Sequence, residues 1–327
     1  MNETIDFSNF GTDLMRTVQD LGGNIVLINS TLDGVASLRN DFSTEIIRDK
    51  GLLVSAEIKD AFKAASNSFQ GQKALEIRSR KADFTEGDID LEITLDDIKK
   101  AYRSYYGWML EPTRTEAEVR DNPFELFFIR QIIRQHFQFV RTKTVWKGIY
   151  NPTPVGAENI ADGLLKKFTV ARASTDAAAK ISANHVFDGE DLTDDNAYEQ
   201  VNGLAQLVAS TREDMLAVPL NFYLSQVSYD KYRRNRRALF PEHVGPADKP
   251  TALDDYSQIS FVIDPGLAGK QTMAITPKDN LKFIANEAPG VYYINIVKQV
   301  KSWQISIRVS VGFDFASPDL LFINDAV

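Results

Sequence analysis

The chain has 327 residues, 43% of them hydrophobic and 25% charged, which is enough apolar side chain to build a core and excludes global disorder. It contains no cysteine, so a disulfide framework, a thiolate metal site and a cysteine nucleophile are excluded together. With 37 basic against 45 acidic residues and a net charge of −8, the balance argues against a dedicated nucleic-acid binder.

The first residues carry acid, with no basic segment leading into an apolar one, so no secretion signal is expected. The most apolar short run, Ile25-Val26-Leu27-Ile28, is far below the ~20 residues of a membrane span, and no membrane association is expected. Residues 1–50 mix Asp6, Asp13, Asp20 and Asp33 with scattered Phe and Leu and break at Gly22-Gly23, a pattern that reads as an arm lying across something else. Residues 52–66 place Leu53, Ile58, Phe62 and Ala65 near one helical face and predict a helix.

Leu75–Arg80 and Ile89–Ile93 each alternate, with a polar turn at 83–88 between them. The pattern predicts a long hairpin with charge on both limbs: Arg78, Arg80, Glu86, Asp88, Asp90 and Glu92. So much charge suits a protruding hairpin that meets solvent or a neighbouring molecule, and these six residues are candidate assembly contacts. A helix is predicted from Thr94 to Gly107, with Asp96 and Asp97 as favourable charge in its first turn.

The strongest helical pattern begins at Asn122-Pro123, a good cap followed by a residue suited to the first helical position, with Glu125 placed for a capping box. Phe124, Phe128, Ile132 and Val140 recur along one side and Arg130, Arg134 and Arg141 along the other. Helical to Trp146, it would be a spine ~37 Å long at 1.5 Å per residue. His136 lies near its apolar side and reads as a hydrogen-bonded structural histidine.

Asn151-Pro152-Thr153-Pro154 forces a connector. Beyond it the pattern predicts a short helix (157–168), an acidic loop (188–195) whose last acid caps the next helix, and a helix from about 197 to 217. A buried strand follows at 219–226, then a basic helix capped by Ser228 and running to Phe240, a Pro-rich loop, and short strands at 259–263, 273–276 and 281–284. The clearest period-two signal closes the chain. Trp303, Ile305, Ile307, Val309, Val311, Phe313 and Phe315 alternate with Gln304, Ser306, Arg308, Ser310, Gly312 and Asp314. This predicts a strand ~40 Å long with one buried and one wet face, paired with 292–297. An N-terminal half thus supplies a long helix, a long C-terminal strand pair returns along it, and 148–285 is inserted between them.

No nucleophile elbow, phosphate loop or dinucleotide fingerprint occurs, and His136, His185 and His243 are too far apart for a local metal signature. Asp188, Glu190, Asp191 and Asp194 could gather a hard cation for a hydrolase, but the spacing fails the EF-hand register and a solvated loop is favoured. Arg233, Arg234, Arg236 and Arg237 form the one dense basic cluster, interleaved with Tyr229 and Tyr232 as in a stacking phosphate contact. Given the net charge, a basic face paired with acids of its own or a neighbouring subunit is favoured, and these four arginines are further candidate assembly contacts. No catalytic, cofactor or metal residue is assigned, and a structural or assembly role is expected.

This order of elements resembles the major capsid proteins of tailed bacteriophages, with the Hong Kong ninety-seven type fold. Locally, Ile305–Val311 followed by Ala316-Ser317-Pro318-Asp319-Leu320-Leu321-Phe322 is similar to the family's closing strand and turn. Leu220–Ser225 with Tyr229–Arg233 is similar to a strand-to-helix unit of its axial domain, and Ile160–Leu165 to a run that follows its spine. The resemblance implies an α+β capsid fold divided into an N-terminal arm and first helix (1–70) and an extended hairpin loop (71–95). It further implies a peripheral domain (96–147 and 286–327, with the spine at 122–147) and a mixed axial domain (148–285). It implies a non-enzymatic subunit that self-assembles into hexamers and pentamers of an icosahedral shell around double-stranded DNA. The shell would be built in the host cytoplasm and become the virion capsid. The implied partners are further copies, scaffolding, portal and cement proteins, and packaged DNA through weak non-specific contact. An encapsulin-type nanocompartment subunit of the same fold is the alternative, with the metal-dependent hydrolase behind it.

Overall fold

The computed structural model describes residues 12–13, 16, 42–47, 51–58, 75–121, 123–153, 156–176, 179–242, 248–286, 294–299 and 302–326. The strands in chain order are β1 (Ser43–Ile47), β2 (Gly51–Ile58), β3 (Leu75–Ala82), β4 (Thr85–Thr94), β5 (Val186–Phe187), β6 (Leu220–Leu224), β7 (Ile259–Ile263), β8 (Ala274–Thr276), β9 (Leu281–Asn286), β10 (Ile294–Lys298), β11 (Ser302–Phe315) and β12 (Phe322–Asn324). The helices are α1 (Leu95–Met109), α2 (Glu116–Asp121), α3 (Phe124–Phe139), α4 (Leu164–Ala173), α5 (Ala197–Thr211) and α6 (Gln226–Leu239). Among the described residues, no helix is long and apolar enough to cross a membrane.

The first sheet is organised by β11. β4 lies along it from Ser302↔Thr94 to Val311↔Thr85, β10 pairs with its first half from Trp303 to Ile307, and β9 pairs with its end from Gly312 to Phe315, with β1 parallel to β9. The β10–β11 hairpin and the length of β11 follow the alternation. The wet face does not extend as expected. Gln304 is exposed and Arg308 half-buried, but Ser310 and Asp314 are fully buried, because other elements cover both faces of the far half of β11.

The 71–95 hairpin is not formed. β3 pairs with β2 in a two-stranded ribbon of its own, from Gly51↔Ala82 to Ile58↔Leu75, and β4 joins β11. The reason lies in β4 itself. Its apolar alternates Ile89, Leu91 and Ile93 meet Ile307, Ile305 and Trp303, so the charged alternates need only one open face, which an antiparallel edge position supplies. β2 also replaces the first part of the helix expected over 52–66, since Leu52, Val54, Ala56 and Ile58 satisfy a two-residue period as well as a helical one. The remainder of that helix lies outside the described residues. So does most of the expected arm, although Phe42 is buried and β1 is part of the sheet.

A second five-stranded sheet has the order β5-β12-β8-β6-β7. It mixes segments that the sequence reading kept apart. β9, assigned to the insert, belongs to the first sheet, whereas β12, assigned to the C-terminal strands, pairs with β5 and β8. The 3₁₀ turn at Pro318–Leu320 redirects the chain after β11 and delivers Phe322 opposite Ile275.

α1 forms as expected, with Thr94 and Asp97 making a reciprocal capping box. The spine is shorter than expected. α3 ends at Phe139, and a wider π-turn over Val140–Thr144 and a turn to Lys147 follow; the α-helical part is ~24 Å long. Asn122, its expected cap, lies outside the described residues. Arg141, expected on the polar side, is buried with Thr144, Val145 and Trp146. The expected 157–168 helix is a 3₁₀ turn at Ala157–Asn159 followed by α4. The expected 197–217 helix is α5 with a following 3₁₀ turn at Glu213–Ala217. α6 is capped by Ser225, whose Oγ accepts from the Ser228 backbone N–H at 3.2 Å; Ser228 itself lies in the first turn. One apolar core joins α1, α3, α4 and β11, including Trp146, Phe168, Phe313 and Phe315, and a second joins α5, α6 and β6 around Leu204, Val208, Phe222 and Tyr232.

Candidate assembly surface and its internal supports

β4 presents Glu86, Asp88, Asp90 and Glu92 at alternate exposed positions. Pairing with β11 places Arg308 opposite Asp88, and its guanidinium holds the carboxylate in a fork: Nε–Oδ1 2.7 Å and Nη2–Oδ2 3.0 Å, with Glu86 3.9 Å from Nη1. Ser302 Oγ donates to Glu92 Oε1 at 2.7 Å. Asp90 stays open in a shallow groove of about 390 Å³ with Glu92, Asn295, Val297, Gln304 and Ser306. A second cleft, of about 410 Å³, lies between β4 and the end of α3, lined among others by Asp88, Asp90, His136, Phe139, Lys143 and Ile160. His136 is half-buried there with Nδ1 2.8 Å from the Ile132 carbonyl, the structural role expected of it.

The basic residues assigned to the same surface behave differently. The side chain of Arg78 lies outside the described residues. Arg80 is turned inward: it ion-pairs with buried Asp314 at 3.1 Å, donates to the Phe315 carbonyl at 2.6 Å and lies 3.8 Å from the Phe315 ring centre. It is therefore no direct surface contact. It shares its side of β3 with Ala82, two residues later and fully buried.

On α6, Arg233 donates twice to the Asp248 carbonyl, at 3.0 and 2.8 Å. Arg234 reaches Asp194 at 2.7 Å, and Arg236 forks onto Asp254 at 2.7 and 2.8 Å and also contacts Asp248. The second contact of Arg236 ties the Pro-rich loop, at Asp248, to the helix. Arg237 Nε is buried with no hydrogen-bond partner among the described residues. Tyr232, read as a stacking candidate, is fully buried in the second core, its phenol pushed above the usual range by burial. The basic helix thus pairs with acids of its own chain, as the charge balance suggested.

The carboxylates of the acidic loop do not converge into a cation site among the described residues. The loop's backbone is tied down, with Leu192 N–H donating to Gln271 and the Leu192 carbonyl accepting from Lys231, while Asp194 pairs with Arg234. No three His, Asp or Glu side chains converge among the described residues. The N-cap position of α5 falls on Asn196 and not on Asp195, and its side chain caps no helical N–H; Asn196 Oδ1 instead accepts from the Thr193 N–H at 2.8 Å. His243 lies outside the described residues.

Two buried carboxylates, both missed by motif reading, hold the framework behind this surface. Asp314, at the end of β11, faces Arg80 and, at 3.8 Å, Lys167 of α4. Asp264 pairs with Arg141 of the π-turn at 2.5 Å and accepts from the Gly266 N–H at 2.7 Å. Burial pushes both carboxyls up, against the pull of these cations. In the sequence, Asp264 directly follows the short strand expected at 259–263, and Asp314 looked like a wet-face residue.

His185 is also buried, stacked on Phe322 with ring centres 4.3 Å apart. Burial holds its pKa below the usual value. The unfolded chain therefore takes up a proton near pH 6.5 while the folded one does not. Stability is complete above that pH and is lost as pH falls towards the lower folded value, by up to about 1.4 kcal/mol per pH unit. Melting temperatures between pH 7.5 and 5.5 should fall more steeply for the wild type than for His185→Gln; equal slopes would clear His185.

No protein-family model matches the sequence, and neither does any curated protein. Solved structures do. A chain of the satellite phage P4 procapsid, which includes the size determination protein, superposes with a TM-score of 0.53 at 12% identity, covering 99% of this chain and 97% of that one. This is the phage capsid fold. Chains of the native and the empty GTA particle capsids share that capsid fold with TM-scores of 0.50 and 0.51 at 11% and 8% identity, each over 88% of this chain and 89% of theirs. At such identities the capsid fold persists through its pattern of elements, with hardly any residue-level motif.

Proposed function

We propose that the chain is a structural shell subunit, a major capsid protein whose copies form hexamers and pentamers of an icosahedral shell enclosing the double-stranded DNA of a tailed phage. The observation that carries this reading is the match of the capsid fold over 99% of the chain to the P4 procapsid chain. The role is mechanical and needs no catalytic step. In this reading α3 and β11 belong to the peripheral part, and α5, α6 and the second sheet form the axial part. The β2–β3 ribbon takes the place of the extended loop, and Asp88, Asp90 and Glu92 face a neighbouring copy. The electrostatics suit an enclosing wall: the net charge is −8, and Arg233, Arg234 and Arg236 of the one dense basic cluster are already engaged by their own chain, which weakens that cluster as a grip on DNA. Assembly would take place in the host cytoplasm and the product would be the virion capsid, with scaffolding, portal and cement proteins as partners.

Electron microscopy of the concentrated purified protein tests this. Closed shells or capsomers are expected, and a strictly monomeric species under every assembly condition overturns the reading. The contents of particles from the native source separate the two shell types: nuclease-protected double-stranded DNA for a phage, a co-purifying enzyme for a nanocompartment.

A further inference from the structure

We propose that Arg80 and Asp314 are positioning residues for assembly: their buried clamp sets the direction in which the β2–β3 ribbon leaves the body, and hence how neighbouring copies fit. This rests on the shell-subunit reading. Among the described residues, β2 and β3 pair only with each other, and a two-stranded ribbon has little stability of its own. Its orientation is therefore decided at its root. One root contact is a small apolar cluster of Leu53 and Ala82 with Ile47 and Ile284. Apolar burial is non-directional and tolerates rotation. The other contact is directional. The planar guanidinium of Arg80 satisfies the Asp314 carboxylate, the Phe315 carbonyl and the Phe315 ring at once, and only one orientation of the fork meets all three.

The receiving end is held just as firmly. Asp314 Oδ1 accepts from the Phe315 N–H at 2.8 Å and Oδ2 faces Lys167 of α4, so one carboxylate links the ribbon, the long strand and the helix that follows the spine. Lys167 also keeps a cation beside Asp314 when Arg80 is removed. Loss of Arg80 should therefore loosen the ribbon without unfolding the body.

The test uses the full chain with Arg80→Lys, Arg80→Ala and, as a control away from the β4 surface, Lys100→Ala, which breaks an exposed pair with Asp97 on α1. Hydrogen exchange is read on unassembled subunits and particle diameter by electron microscopy. In both Arg80 variants, amides of β2 and β3 should exchange at least about tenfold faster while those of β6 and β11 stay slow. Particles should become heterogeneous in diameter or fail to close. Lysine keeps the charge but not the fork or the stacking plane, so it should not restore the wild type, and Lys100→Ala should match the wild type. Unchanged ribbon exchange in Arg80→Ala overturns the proposal. So does full rescue by lysine, uniformly faster exchange across the chain, or a loosened ribbon in particles of wild-type diameter. If the wild type forms no particles the shell reading fails, whereas the exchange measurement still decides whether the clamp orients the ribbon.

Discussion

Replacing Arg141 with alanine is expected to destabilise the protein by about 3–5 kcal/mol, because it strands a carboxylate in the core. Arg141 and Asp264 have side chains 4% and 0% exposed, and they join the π-turn after the spine to the turn that follows β7. Without the guanidinium, Asp264 keeps the Gly266 N–H but loses its cation, and burial then drives its carboxyl further up. A raised folded pKa means that the native state binds the extra proton, so stability falls as pH rises above the unfolded value. The loss should accordingly be larger at pH 7.5 than at pH 5.5. Arg141→Met combined with Asp264→Asn, which leaves no buried charge, should recover most of it. Urea unfolding at the two pH values measures both effects. A loss below about 1 kcal/mol, or one independent of pH, would mean that the pair is not structural.

The second large effect is expected at Gly163, which precedes α4. Its backbone is in the ordinary extended region, so the constraint is space. A Cβ there would lie 2.5 Å from the Thr144 carbonyl oxygen, 2.6 Å from that of Trp146 and 2.7 Å from the Gly148 nitrogen, all backbone atoms of the turn leaving the spine. The same crossing is stitched by Gly163 N–H to the Gly148 carbonyl at 2.9 Å, Leu164 N–H to Val145 at 2.9 Å and Leu165 N–H to Trp146 at 3.0 Å. Backbone atoms held by hydrogen bonds cannot move aside as a side chain can. Gly163→Ala should therefore destabilise by more than about 3 kcal/mol, above the usual range for overpacking. Gly107→Ala provides the opposite sign: it lies within α1, a Cβ there meets nothing within 4 Å, and the change should stabilise by up to about 1 kcal/mol. Denaturation midpoints of the two variants in parallel decide the matter, and a Gly163→Ala protein as stable as the wild type would mean that the joint is soft.

The local signals were strong for α1, with its Thr94–Asp97 cap, and for β11, with seven apolar alternates, and both form at nearly the expected positions. They were misleading where one segment satisfied two periods, as in β2, or where charge implied exposure, as at Arg80, Arg141 and Asp314. Nothing local distinguishes a buried charge from a solvated one. The difference lies in a partner 123 positions away for Arg141 and 234 for Arg80. The acid row on β4 was legible as a charged, alternating strand, but its neighbour was not, because β4 could satisfy its pattern against β3 or against β11.

The sequence by itself determined the elements whose causes are short-ranged: caps, turns, the long alternating strand, the absence of disulfides, and the acidic balance that disfavours a grip on DNA. The order of those elements was enough to resemble a capsid subunit. Only the tertiary structure decided that the ribbon is made of β2 and β3, that β9 and β12 exchange sheets, and that the spine ends in a π-turn welded to α4. Those outcomes depend on which distant strand edge, carboxylate or aromatic ring is within reach once the chain has closed on itself, and periodicity along the chain carries no information about that.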